Sequence, residues 1–171
     1  MTVATTEVIE TPEIEVTKEL RDEVKDRIIV ARVGLLLRHP FFGNMATRLI
    51  LKEATDWCPT AATDGRHLFY SVPFFAKMTN KEIEFVIAHE ILHCVFDHMT
   101  RREDRDPQIH NIAADYIVNN TLVRDRIGDK PKDIPIFQDF KYDGLIILSR
   151  ALVNFNGMTS AATPLAPWSM R

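Results

Sequence analysis

The sequence predicts an α+β domain that is rich in helix, with a small β-sheet placed just before its central helix. Three observations carry that expectation. Apolar residues recur at helical spacing in three long stretches. Two short β-branched or aromatic segments, bounded by turn residues, separate the first stretch from the second. The second and third stretches each open on a side-chain capping signal. At 171 residues and 46% hydrophobic content, the chain is long enough to bury a core in one domain.

Residues 1–15, "MTVATTEVIETPEIE", are acidic, rich in threonine and aperiodic; they read as a flexible N-terminal arm ahead of a domain over 16–155. From Thr17 to Arg38, charges give way to Ile28, Ile29, Ala31, Val33 and the Leu35–Leu37 run, a helix that Pro40 is expected to stop. "MATRLILKEA" (45–54) reads as a short strand. "TDWCPTAATDG" (55–65) reads as a loop closing on an Asp64-Gly65 turn, and "RHLFYSV" (66–72) as a second strand ended by Pro73. Thr79 and Glu82 then form a capping box, with Met78 and Ile83 placed as its hydrophobic staple, and open a helix over 80–101. Asp106-Pro107, a cap followed by proline at the first helical position, opens another over 108–123. "RDRIGDKPKDIPI" is a loop, 143–155 a final helix, and 156–171 an irregular C-terminal tail.

Composition excludes several classes. A net charge of −3 without any basic block points away from nucleic acid. The segment "IIVARVGLLL" is broken by Arg32, closed by Arg38 and too short to span a bilayer, so no membrane partner is expected. The N-terminus lacks the plan of a secretory signal, and two cysteines make no disulfide framework. A soluble, cytoplasmic protein of a reducing compartment is the expectation.

The chemistry concentrates in His89-Glu90-Ile91-Leu92-His93, inside the helix over 80–101. Residues four apart on a helix are offset by roughly 40° and one turn of rise, so both imidazoles project from one face. Such a pair can fill two of the four tetrahedral positions of a divalent ion, Zn²⁺ above all. Glu90 points about 100° away from His89, suited to reach a metal-activated water and serve as general acid/base. Polar groups that would be costly in a core become acceptable there once a cation neutralises them. The bland alternative is a helix with two hydrogen-bonded core histidines and a surface glutamate.

A third ligand is needed, and two candidates exist. Asp115 stands in the middle of an apolar helix beside Ala113 and Ala114, whose small side chains permit close approach of a second helix. His98 lies nine residues after His89, on the opposite face of an unbroken helix, and reaches the site only if the helix ends or bends near Asp97. Asp115 is the preferred ligand and His98 the alternative. Asp97 reads as a partner that orients an imidazole, or as plain surface. Asn111 and Asn119, one turn either side of Asp115, either hold it by hydrogen bonds or form a solvated face. Cys94 reads as a small buried filler and Cys58 as a free loop thiol. His39, His67 and His110 have ordinary explanations at a helix end, in a strand or on the surface. Tyr70 and Tyr116 are the tyrosines placed to donate to an oxyanion, though neither spacing singles one out.

Four blocks, "LLLRHPFFG", "PTAATDGRHLFY", "VIAHEILHCVFDH" and "IHNIAADYIVNN", together resemble the family described as a putative metallopeptidase domain, found in bacteria and phages and often in front of a VWA-like domain. The resemblance runs from Leu35 to Asn120. It implies a zincin-like α+β core with His89, Glu90 and His93 in their usual roles, and it makes the Asp115 block part of the site. By analogy with zincin-type enzymes, the strand 66–72 would border the cleft and pair with an extended substrate. The Asp-x-Ser-x-Ser segment of the VWA-like domain is absent from this sequence, so an AAA-type ATPase partner is not implied, and a compact stand-alone version, bacterial or phage-encoded, is expected. The expected function is that of a zinc-dependent peptidase acting on a peptide or protein substrate. A catalytically silent, metal-stabilised scaffold is the alternative from a different class, and hydrolysis of a non-peptide bond a third. Glu90 favours catalysis, since a scaffold has no use for it.

Overall fold

In the computed structural model, residues 14–132 are described. The arm expected at 1–15, apart from its last two residues, lies outside them, as do the helix expected over 143–155 and the tail over 156–171.

α1 (Lys18–Arg38) begins where Thr17 Oγ1 accepts the amide of Leu20, and buries Val24, Ile28, Ala31 and Leu35 along one stripe. It ends at His39, as Pro40 requires. Pro40 does not begin a loop, however. It occupies the first turn of α2 (Pro40–Arg48), where its missing N–H costs nothing. The strand expected at 45–54 is therefore helix for its first four residues, and β1 is confined to Ile50–Glu53. Gly43 lets α2 fold back on α1, because a Cβ there would run into the backbone of Leu36. Arg32 fastens the same corner by donating to the carbonyls of Ala46 and Leu49 at the end of α2.

Three strands form a sheet in the order β1-β3-β2. β2 (Ala61–Thr63) lies inside the segment expected to be loop; three residues are too few to show a period. It pairs antiparallel with β3 (His67–Tyr70), which in turn pairs parallel with β1. The turn between β2 and β3 is built by Asp64, whose Oδ1 accepts the amides of Arg66 and His67, and by Gly65 at φ +83°. β3 ends at Tyr70, short of the expected Val72, because Ser71 already caps a short helix, α3 (Val72–Ala76), with Pro73 in its first turn.

α4 (Asn80–Val95) carries the complete capping box: Thr79 Oγ1 accepts the Glu82 amide while Glu82 Oε2 accepts the Thr79 amide. From Ile83 to His89 every residue is buried, because α1, α2, β2 and α5 (Pro107–Arg124) all pack against this helix. Among the residues of that buried run, Glu84 (2% exposed) pairs with Arg38 of α1 and with Lys81 at 3.0 Å. α4 stops at Val95, short of the expected Arg101. α5 starts as expected, with Asp106 Oδ1 accepting the amides of Gln108 and Ile109. After α5 the chain returns to α4: Gly128, at φ +65°, would place a Cβ 2.7 Å from the Lys81 carbonyl, and the Asp129 amide donates to that carbonyl at 3.0 Å. The result is helix-rich with one small sheet, an α+β architecture as the sequence predicts.

Candidate metal centre

The two histidines of α4 meet the aspartate of α5 where the helices cross. His89 and His93 sit one turn apart with ring centroids 4.7 Å from each other, and Nε2 of one is 2.9 Å from Nε2 of the other. Asp115 Oδ1 lies 3.3 Å from the His89 Nε2 and 3.1 Å from the His93 Nε2. Ala113 and Ala114 are buried beside it and keep the two helices close. These three ligand atoms form the one group among the described residues that could hold a metal ion, all within 4.8 Å of one another. The fit is good. Two ligands about 2.0–2.1 Å from a tetrahedral zinc stand roughly 3.3 Å apart, close to the spacing seen here.

Each ligand's outer atom is also engaged. Asn119 Oδ1 lies 2.9 Å from His89 Nδ1, so an amide oxygen stands ready to accept the Nδ1 proton and leave the Nε2 lone pair facing the shared point. Asn111 Nδ2 donates to Asp115 Oδ2 at 3.1 Å. Both asparagines, one turn to either side of Asp115, thus serve the site rather than a solvated face. His98 Nδ1 lies 3.2 Å from His93 Nδ1, on the side of that ring away from Asp115. The helix does end near Asp97, the condition under which His98 could approach, yet His98 meets the outer nitrogen of His93 and does not join the three converging atoms. Asp97 is exposed and its carboxylate takes the Thr100 hydroxyl, the surface role of the two expected for it.

Electrostatics follow from this packing. Burial alone would raise the Asp115 carboxyl; the hydrogen bonds and charge available from His89 and His93 outweigh it and hold the group below its ordinary range. Burial pushes the Glu90 carboxyl up to about 7, with His93 opposing the rise and the Asp115 charge adding to it. The Glu90 carboxyl therefore feels the charges of both His93 and Asp115. Burial, followed by the charges of His93 and His110, lowers His98 to about 4.

The strand expected to border the cleft does not have a free edge. β3 is the central strand, bonded to β1 on one side and β2 on the other. The edge strand against α4 is β2, and Thr63 Oγ1 on it lies 3.7 Å from Cys94 Sγ on the helix. The signal that could have found β2 is the Asp64-Gly65 turn itself, since a hairpin turn needs a strand before it as well as after. Cys94 fills the α4–β2 seam, and Cys58 is a free thiol, fully buried despite its loop. Tyr70 is buried, with its ring edge-on to that of Phe75. His67 pairs with Asp64 in the β2–β3 turn.

A family model described as "Putative metallopeptidase domain" matches residues 23–155. The chain belongs to this family. No curated protein and no solved structure matches it. In this member of the putative metallopeptidase domain family, the matched range takes in α4 and α5, and with them all three converging ligand atoms. No helix among the described residues is long and apolar enough to cross a membrane.

Proposed function

We propose that this protein is a zinc-dependent peptidase in which His89, His93 and Asp115 hold the ion and Glu90 is the general acid/base. One observation carries the reading: two imidazole nitrogens and a carboxylate oxygen converge on one point, with the outer atom of each held by a neighbour. Two nitrogens and one oxygen suit zinc, and three protein ligands leave the fourth position for chemistry. A bound zinc supplies Lewis acidity and makes water acidic enough to be deprotonated near neutral pH. Glu90 would accept a proton from the attacking water, hold it while the peptide carbonyl is attacked, and pass it to the departing amine. A carboxyl titrating at about 7 suits both halves of this task. The substrate is an extended peptide laid along β2, the edge strand that packs on α4, through main-chain hydrogen bonds. Two free cysteines support a reducing compartment, the cytoplasm.

The test combines metal analysis with a variant. Protein purified without chelator should contain about one zinc per chain. Glu90→Gln should keep that zinc and lose peptide hydrolysis by about 10²–10⁴-fold on a substrate drawn from a peptide library. Absence of metal from the parent would remove the centre from the account, and a fully active Glu90→Gln protein would remove the acid/base role. A metal-bearing parent that cleaves no peptide would leave the silent scaffold as the better reading.

A further inference from the structure

α4 does not fray at its end. The amide of His98 donates to the His93 carbonyl at 3.1 Å and the amide of Asp97 donates to the Cys94 carbonyl at 3.1 Å, with Asp97 in the left-handed region at φ +55°. This is the Schellman closure of a helix, in which the second residue past the cap folds back onto the third residue from the end. Here those two residues are His98 and His93. Their rings stand edge to face with centroids 5.1 Å apart, and their Nδ1 atoms are 3.2 Å apart. Phe96, at 5.5 Å, and His110, at 6.3 Å, flank the His98 ring and limit its rotation.

We propose that His98 is a positioning residue for the metal centre: its Nδ1 accepts the Nδ1 proton of His93 and so fixes the His93 Nε2 lone pair toward His89 and Asp115. The inference rests on the reading that this centre holds a metal. A ligating His93 must present an unprotonated Nε2, which leaves its proton on Nδ1, and an N–H on a side chain only 13% exposed needs an acceptor. The His98 ring offers one when its own proton is on Nε2. The arrangement repeats what Asn119 does for His89, with an imidazole nitrogen in place of an amide oxygen. His98 thus acts through His93 and does not touch the ion.

Two substitutions separate this role from both direct ligation and simple packing. His98→Phe keeps the ring volume and removes the acceptor. His98→Asn places Oδ1 two bonds from Cβ, where Nδ1 stands, and restores the acceptor with less bulk. Zinc affinity is read by competition with a chromophoric chelator on the full chain. The Nδ1 proton of His93 is read in the zinc-loaded protein by nitrogen-resolved proton NMR. His98→Phe should bind zinc about 10- to 100-fold more weakly, as loss of a partner that orients a ligand usually does. His98→Asn should recover most of that loss, and the His93 Nδ1 proton should exchange slowly in the parent and in His98→Asn but rapidly in His98→Phe. Zinc affinity unchanged in His98→Phe overturns the proposal, and so does His98→Asn as weak as His98→Phe, the result direct ligation predicts. A parent that takes up no zinc overturns the metal reading itself along with this role. A zinc-binding parent paired with an indifferent His98→Phe overturns the role of His98 alone.

Discussion

The side-chain oxygen of Asn119 on α5 stands 2.9 Å from Nδ1 of His89 on α4, so the helix that supplies the aspartate also sets the orientation of an imidazole opposite it. The centre is therefore more than a helix motif with an added carboxylate. Asn119→Leu should fold with α5 in place and bind zinc about 10- to 100-fold more weakly, whereas Asn119→Asp, which keeps an acceptor, should retain most of the affinity. Calorimetric zinc titration of the two variants at one pH checks this; equal affinities for both would show that the contact is incidental.

The α1–α2 corner makes a stability prediction whose sign opposes helix propensity. Gly43 lies within α2, where alanine would ordinarily gain about 1 kcal/mol. Its missing Cβ is the space that the Leu36 backbone occupies, and backbone cannot rotate aside. Gly43→Ala should therefore destabilise the protein by about 1–3 kcal/mol in urea unfolding. A variant as stable as the parent would mean that the two helices separate freely.

The Asp64 turn couples stability to acid. Slight burial would raise this carboxyl, but hydrogen bonds from the His67 side chain and from the His67 and Arg66 amides pull it down to about 2. A folded-state value below the unfolded one favours folding once pH exceeds the ordinary carboxylate range, and that contribution disappears as pH falls through about 2. Asp64→Ala should cost about 1 kcal/mol at neutral pH through the lost turn bonds. The gap between parent and variant should narrow as thermal melts are taken from pH 5 toward pH 2.

Glu90 has the opposite sign. Its folded-state value of about 7 stands above its ordinary 4.5, so the folded, metal-free chain binds the proton more tightly than the unfolded one. That stability is fully present below about pH 4.5 and is lost as pH rises through about 7. Glu90→Gln removes the titration. Metal-free Glu90→Gln should thus gain on the metal-free parent as pH is raised from 4.5 to 7.5, measured as the difference in Tm. A difference that stays flat over that interval would place Glu90 in water.

Local signals in the sequence marked most of the helical frame. Thr79 with Glu82, and Asp106 with Pro107, announce α4 and α5 because a cap is a contact between residues two or three apart, visible without knowing the fold. The four-residue spacing of His89 and His93 and the lone carboxylate at Asp115 were legible for the same reason, the helix being a fixed ruler. What escaped notice depends on context. Pro40 ends one helix and opens the next, and the sequence displays only the first function. β2 is three residues long and is strand only because β3 lies alongside. α4 ends at Val95 through a left-handed Asp97, where glycine would have signalled the stop, so the approach of His98 to His93 could be stated only as a condition. Asn111 and Asn119 could be read equally as solvated surface until α4 was packed against them.

The early stop of α4 has an electrostatic consequence as well. The peptide dipoles of a helix add up to about half a negative charge at its final carbonyls. His93 is in the last turn, so that partial charge lies beside the place where the imidazoles converge. Had the helix run on to Arg101, the negative pole would have moved about two turns away, roughly 9 Å at 1.5 Å per residue. Ending where it does, the backbone of α4 itself helps to make the crossing with α5 attractive to a positive ion, independently of the identity of any side chain there.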